Sequence, residues 1–344
     1  FDFDVIAFSI SYDLDFANVK EILKNANLSE DHFVIAGGAA VTIEPDVLKD
    51  YVDCLILGEA ETIIKPLCDA LLTSSSKQEV LKKITGDSPR ALLGTVPYIF
   101  APRLDDLNKA KTYSRIITPN TEFANMKLVE VTRGCSRGCK FCVTPCVYGP
   151  MRYKSVDTVM EQIYDCGTES TQQGRGVIYN VPTVGLIGSS ISDYPYLDEL
   201  LDRLEQENIK FTISSLRIDN ISEKLLKGLV RSGQNMITLA PEAGTQRMRD
   251  FINKGITDAD IDRAFDLIKK SGINKIKLYF MVGLPGETDE DIKGIIDLIN
   301  KAKKLFKVKI SVNPFIPKPN TPFQNEKQIS KKEFKKIIQV LDRV

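Results

Sequence analysis

Thr132-Arg133-Gly134-Cys135-Ser136-Arg137-Gly138-Cys139-Lys140-Phe141-Cys142 closes an apolar, β-branched run at residues 127–132 and spaces three cysteines as CxxxCxxC. Three thiolates on so short a loop fit three corners of one cubane 4Fe-4S cluster, leaving the fourth iron open to a non-protein ligand. Gly134 and Gly138 let backbone amides approach the sulfurs, and Arg133, Arg137 and Lys140 set positive charge beside an anionic cluster, favouring its reduced form. Two plainer readings stay open. Cys146 is placed to complete a four-cysteine electron-transfer cluster, or the set holds a structural zinc. Zinc sites usually take a second, distant pair of ligands, and no histidine or paired cysteine downstream supplies one.

The run before the loop opens a β/α series. Further strands are expected at 183–187, 211–215, 236–240, 274–280 and 308–313, with helices near 155–166, 195–207, 222–231, 258–271 and 287–304. Six strand-helix repeats of about 30 residues predict an α/β fold of the open, partial β/α-barrel type over 127–323, where chemistry sits at the C-terminal strand ends. The cysteine loop falls at such an end. Upstream, 4–10, 33–36 and 53–57 read as buried strands, and 15–26, 45–51 and 60–72 carry apolar residues at helical spacing, so residues 1–75 predict a small parallel sheet. Residues 76–126 follow Ser74-Ser75, contain scattered prolines and one helical stretch near 77–84, and read as a linker. Residues 324–344 read as a C-terminal helix starting a further segment.

Composition narrows the chemistry. The 344 residues balance 46 basic against 46 acidic groups, which gives no electrostatic argument for general nucleic-acid or membrane-surface binding. No apolar run approaches the roughly 20 residues of a membrane span. Serine-histidine triads, most zinc hydrolase sites and 2-His-1-carboxylate iron sites all draw on histidine, and only His32 is available, so metal chemistry rests on cysteine. Seven cysteines, four of them within twelve positions, and no secretory signal predict reduced thiols in the cytoplasm. Cys54, Cys68 and Cys166 lie in apolar patterns and are expected to be buried packing residues. The first 75 residues hold fourteen acidic and four basic residues, so the charge splits by domain. Phe1 is no initiator methionine and runs straight into a strand pattern, so the chain is expected to begin inside a domain.

On the cysteine loop and its place after a strand, the chain resembles the radical S-adenosylmethionine (SAM) superfamily over roughly 127–323. The CxxxCxΦC signature is met by Cys135, Cys139, Phe141 and Cys142. The resemblance implies that Phe141 packs near the adenine, that the methionyl group of SAM chelates the open iron, and that reductive cleavage yields a 5'-deoxyadenosyl radical. It also implies SAM contacts at strand ends: Gly188, Ser189 and Ser190 where the family has Gly-Gly-Glu, then Ser215 and Arg217, Glu242, and the backbone of Gly283, Leu284 and Pro285. The acid of that second motif is missing, and Asp193 is its nearest substitute in sequence. Thr245 reads as a helix N-cap, and Glu287 with Thr288 as the start of the next helix. An electron donor such as flavodoxin or ferredoxin is implied as partner.

Residues 1–75 resemble the second half of the Rossmann-like cobalamin-binding domain that precedes many such enzymes. Ser9 and Ser11, Gly37 and Gly38, and Gly58 and Glu59 follow successive strands where that domain approaches the cobalamin nucleotide tail. Any doubly wound domain also puts Gly and Ser there. His32, between Asp31 and Phe33, falls outside the family's cobalt-ligand pattern. The implied function is cobalamin-dependent methylation of an unactivated carbon. A methylthiotransferase-like enzyme modifying tRNA or protein, and a non-catalytic electron-transfer or sensor protein, are the rivals.

Overall fold

A computed structural model describes residues 3–85, 92–93, 96–165 and 183–343. The chain divides into two compact units, Phe1–Asp105 with Val143–Gly149, and Asp106–Cys142 with Pro150–Val344.

The first unit is doubly wound. Its strands β1 (Val5–Ser9), β2 (Phe33–Gly37) and β3 (Cys54–Gly58) alternate with α1 (Asp15–Asn25), α2 (Ala39–Ile43) and α3 (Ile64–Thr73), followed by α4 (Lys77–Thr85), β4 (Leu92–Leu93) and β5 (Val96–Ala101). The sheet order is β1-β2-β3-β5-β4, parallel apart from the β4–β5 pair. The period of two along a strand sends alternate residues to opposite faces. Val34 and Ala36 therefore join Phe16, Val19 and Leu48 in one core, while Phe33 and Ile35 join Leu67, Ala70 and Val80 in another.

Four expectations for this unit are corrected. The helix expected at 45–51 is α2, earlier in the chain, followed by a 3-10 turn over Pro45–Leu48. Pro45 cannot continue the ladder, and the residue before it, Glu44, is driven from helical geometry to φ −131 and ψ 67. The linker expected at 76–126 is in part sheet: β5 pairs with β3 despite Pro97, so the first unit extends past residue 75. Cys68 is exposed, not a packing residue. Cys54 is buried as expected, and burial beside Asp53 pushes its thiol up to about 12. Cys166 lies outside the described residues. Val143–Gly149, assigned from sequence to the barrel, falls with the first unit and forms α5 (Thr144–Tyr148).

The second unit has two parallel three-stranded sheets. In chain order it runs β6 (Lys127–Glu130), β7 (Thr132–Arg133), β8 (Arg152–Tyr153), α6 (Val156–Tyr164), β9 (Val184–Ile187), α7 (Leu197–Gln206), β10 (Phe211–Thr212), α8 (Glu223–Arg231) and β11 (Met236–Glu242). It continues through α9 (Gln246–Phe251), α10 (Asp258–Lys270), β12 (Lys275–Val282), α11 (Asp289–Lys303), β13 (Lys307–Pro314) and α12 (Lys331–Leu341). One sheet is ordered β6-β9-β10 and the other β11-β12-β13, and a parallel bridge between Leu216 and Leu239 links them. One extended core joins Val129, Val184, Phe211, Ile237, Ile276 and Leu278 to the helices, among them Leu200, Leu225, Phe265 and Ile299. Every expected strand and helix of the series is present, with α9 and the β7–β8 hairpin added. No described helix is long and apolar enough to cross a membrane.

Candidate functional site

The β7–β8 hairpin carries the chain out of the first sheet and into the cysteine loop. Hydrogen bonds hold the loop to the segment after α9: the Lys140 amide donates to the Ile252 carbonyl at 3.0 Å, and the Asn253 side-chain Nδ2 to the Gly138 carbonyl at 2.8 Å. On the other side the Phe323 amide donates to the Lys140 carbonyl at 3.2 Å. The Arg137 amide points at Cys135 Sγ, 3.4 Å away. Cys135, Cys139 and Cys142 are all half-buried. Burial pushes the Cys139 thiol up, Lys254 and Arg217 act to lower it, and Cys142 and Cys135 raise it. Cys139 thus feels the other two sulfurs and two cations.

Around the loop lies a chain of ion pairs drawn from strand ends. Arg137 binds Asp193 (2.8 Å) and Asp219 (3.2 Å), Asp219 binds Arg217 (2.9 Å), and Lys254 binds Glu242 (3.0 Å). Asp193 also accepts from Ser190 Oγ and Asn220 Nδ2. Burial alone would raise the Asp193 carboxyl, yet these donors hold it below the usual range. Asp193, suggested as a substitute amine ligand, is paired with Arg137 of the cysteine loop.

Other sequence candidates meet at the same end of the strands. Phe141 packs against a cluster of Ala243, Met248, Ile252, Leu284, Phe315 and Phe323. Gly188 is wedged so tightly that a Cβ there would lie 2.1 Å from Thr132 Oγ1. That hydroxyl is buried without a hydrogen-bond partner. Ser189 and Ser215 are exposed, whereas Ser190 is buried. Arg217 gives both a bidentate grip to Asp219 and a bond to the Lys254 carbonyl. Glu242 closes β11 after a bulge, at φ 67, a backbone region that costs a non-glycine residue energy. Gly283 turns at φ 78, and its amide donates to Glu287 Oε2 at 2.5 Å. Leu284 is buried and Pro285 half-buried beyond it. Thr245 caps α9 and Thr288 caps α11, as their positions predict.

Sequence reasoning missed Lys254, Asn253 and Arg249. Arg249 is fully buried, donating to the carbonyls of Ala243, Gly244 and Ile256 and pairing with Asp258. It braces the turns on both sides of the segment that holds the cysteine loop. The asparagine in a glycine-flanked turn, Asn253-Lys254-Gly255, was the one visible signal of a special backbone there.

The cobalamin candidates belong to the first unit. Ser9 and Ser11 are exposed around buried Ile10. Gly38 and Gly58 both adopt positive φ, and a Cβ on either would strike backbone of the same unit, Ile10 or Ala101. Gly37 is similarly close to Ile56. Glu59 is buried and accepts from the Leu104 amide. Chain packing is therefore sufficient reason for the glycines.

The residues present fit a 4Fe-4S cluster. Soft thiolate donors, adjacent cations and an amide aimed at a sulfur are what such a cluster requires. No three His, Cys, Asp or Glu side chains among the described residues converge on one point, as ligands of a single ion would; a cubane takes each thiolate on a different iron.

Comparison with known proteins agrees. The model of the radical SAM superfamily matches residues 129–299, and that of radical SAM proteins, N-terminal, matches residues 1–89. An uncharacterized protein of Methanocaldococcus jannaschii is 34% identical over 99% of this chain and 73% of its own. An uncharacterized methyltransferase of Pyrococcus horikoshii is 27% identical over 88% of this chain and 65% of its own. Among solved structures, the cobalamin-dependent SAM radical enzyme OxsB with aqua-cobalamin bound shares the fold at TM-score 0.60 and 18% identity, over 90% of this chain. The chain spans 45% of that enzyme's length.

Proposed function

The chain belongs to the radical SAM superfamily, and from that premise we propose that it cleaves S-adenosylmethionine reductively and acts as a cobalamin-dependent methyltransferase on an unactivated carbon. The observation that carries the reading is the gathering of Cys135, Cys139 and Cys142 with Lys254 and Arg217 beside Phe141. The two parallel sheets of the second unit then form one open six-stranded barrel, joined at Leu216 and Leu239, with the cysteine loop at its C-terminal mouth.

Cys135, Cys139 and Cys142 would hold a 4Fe-4S cluster, which when bound would supply the electron for reductive cleavage of SAM. The chain's own residues do the rest. Phe141 and Leu284 offer an apolar wall for the adenine, and the turn from Gly283 to Pro285 offers backbone atoms to its edge. The Ser189 and Ser215 hydroxyls are exposed and free to meet the methionyl or ribose groups. Arg137, held by Asp193 and Asp219, keeps the loop in register with the strand ends. For the methyl carrier, Ser9, Ser11, Gly37, Gly38, Gly58 and Glu59 line the C-terminal strand ends of the first unit, where a doubly wound sheet takes its ligand. The methyltransferase name of the Pyrococcus relative and the fold shared with OxsB support this half. A low-potential donor of the flavodoxin or ferredoxin kind fits the need for single electrons in the cytoplasm.

The test is anaerobic reconstitution, reduction and addition of SAM, with 5'-deoxyadenosine and iron measured. About four irons per chain and 5'-deoxyadenosine lost in Cys139→Ala are expected by the one-cluster arithmetic. About eight irons would favour the methylthiotransferase reading. Absence of 5'-deoxyadenosine with substrate present removes the radical step, and absence of any bound corrinoid removes the methyl carrier.

A further inference from the structure

In the β11-β12-β13 sheet one face is fully used. Ile237, Leu239, Ile276, Leu278, Phe280 and Val282 are buried against the helices, and Val308, Ile310 and Val312 pack on the same core. The period of two therefore sends Lys275, Lys277, Tyr279 and Met281 of β12, and Lys307, Lys309, Ser311 and Asn313 of β13, to the opposite face. The parallel register sets Lys275 beside Lys307 and Lys277 beside Lys309. Four lysines so form a two-by-two ladder.

Like charges facing each other across neighbouring strands destabilise a sheet. Among the described residues no carboxylate offsets them. None of the four ammonium groups forms an ion pair with a carboxylate among the described residues. Lys277 Nζ bonds the neutral Tyr279 hydroxyl at 2.7 Å and lies 4.4 Å over its ring, a contact that leaves its charge in place. The neighbouring residues on β11, Met236 and Thr238, are uncharged, and Glu242 beyond the bulge is taken by Lys254. Further along the same face Met281 meets the apolar cluster that contains Phe141. At the rise of a strand, Lys277 stands about 13 Å from that contact, a span one small molecule can bridge.

The geometry points to an anion-binding site on this face: Lys275, Lys277, Lys307 and Lys309 take a small substrate carrying at least two negative charges, as phosphate or as carboxylates. Tyr279 and Ser311 lie between the lysines and the cysteine loop and supply neutral hydroxyls to the substrate's middle. The substrate class rests on the radical SAM reading; the anion site itself does not.

The experiment titrates the full chain at low ionic strength with pyrophosphate, followed by phosphorus NMR line width, and with citrate, followed by calorimetry. At least one probe is expected to bind, to weaken with salt, and to bind at least tenfold more weakly to the Lys277→Gln/Lys309→Gln double variant, whose iron content stays that of the parent. Which probe binds distinguishes phosphate from carboxylate chemistry. No binding of either probe, or equal binding to the double variant, overturns the site. A Lys309→Glu variant should give an opposite-charge pair with Lys277, bind neither probe and melt at a higher temperature; a lower melting temperature would show that the ladder is already compensated. Because 5'-deoxyadenosine formation from SAM is measured separately, failure here and failure of the radical reading are told apart.

Discussion

Lys254 carries the charge that bears most directly on Cys139, although it lies far from the cysteines in sequence. Its ammonium, paired with Glu242, acts against the burial that pushes the Cys139 thiol up. Lys254→Met should lower the cluster's reduction potential by several tens of millivolts, since a tenfold shift in a one-electron equilibrium is about 59 mV; a spectroelectrochemical titration measures it. Glu287 makes a second prediction. Burial raises its carboxyl from 4.5 to about 7, Asp291 adds to the rise, and the Gly283 amide opposes it. The folded protein then holds a proton that the unfolded chain releases, so Glu287 lowers stability as pH rises from about 4.5 through about 7. Denaturation between pH 5 and 8 should show a loss of about 1–3 kcal/mol that Glu287→Gln removes, because the amide oxygen still accepts from Gly283. At this scale the cysteines and Phe141 were legible, since their chemistry is written in local spacing. Lys254 and the Arg137–Asp193 pair were not, because their meaning lies in contacts between distant strand ends.

Among the elements, the segment from the end of β11 to the start of α10 decides how firmly the cysteine loop is held. Arg249 binds three of its carbonyls from a fully buried position. Replacing it with Met leaves Asp258 and those carbonyls without their donor and should cost about 3–5 kcal/mol, read by urea unfolding. Gly188→Ala tests the neighbouring strand end. The new methyl would displace Thr132, one residue before Arg133 and the loop, so iron retention should fall along with stability by about 1–3 kcal/mol. The long β/α repeats of the second unit were legible because an apolar period runs through each and most begin at a capping residue, as with Thr257 and Thr288, which both form capping boxes, α7 being without one. β5 was hidden by Pro97, and α2 by its five residues, too few to show a helical period.

At the scale of the whole molecule, two units with separate cores should unfold in two steps. Calorimetry of the iron-loaded chain should show two transitions, and chelation should lower the one that belongs to Asp106–Cys142 and Pro150–Val344, since a ligand stabilises the state it binds. A single transition unmoved by chelation would contradict that division. The division itself has an interleaved form: the seven residues Val143–Gly149 belong to the first unit but come after Cys142. This bears on the order of synthesis. When residue 105 leaves the ribosome, the first unit still lacks its last helix, and that helix emerges only once all three cysteines have passed. Completion of the first unit thus fixes the chain just beyond Cys142 while β9 to β13 are still to be made.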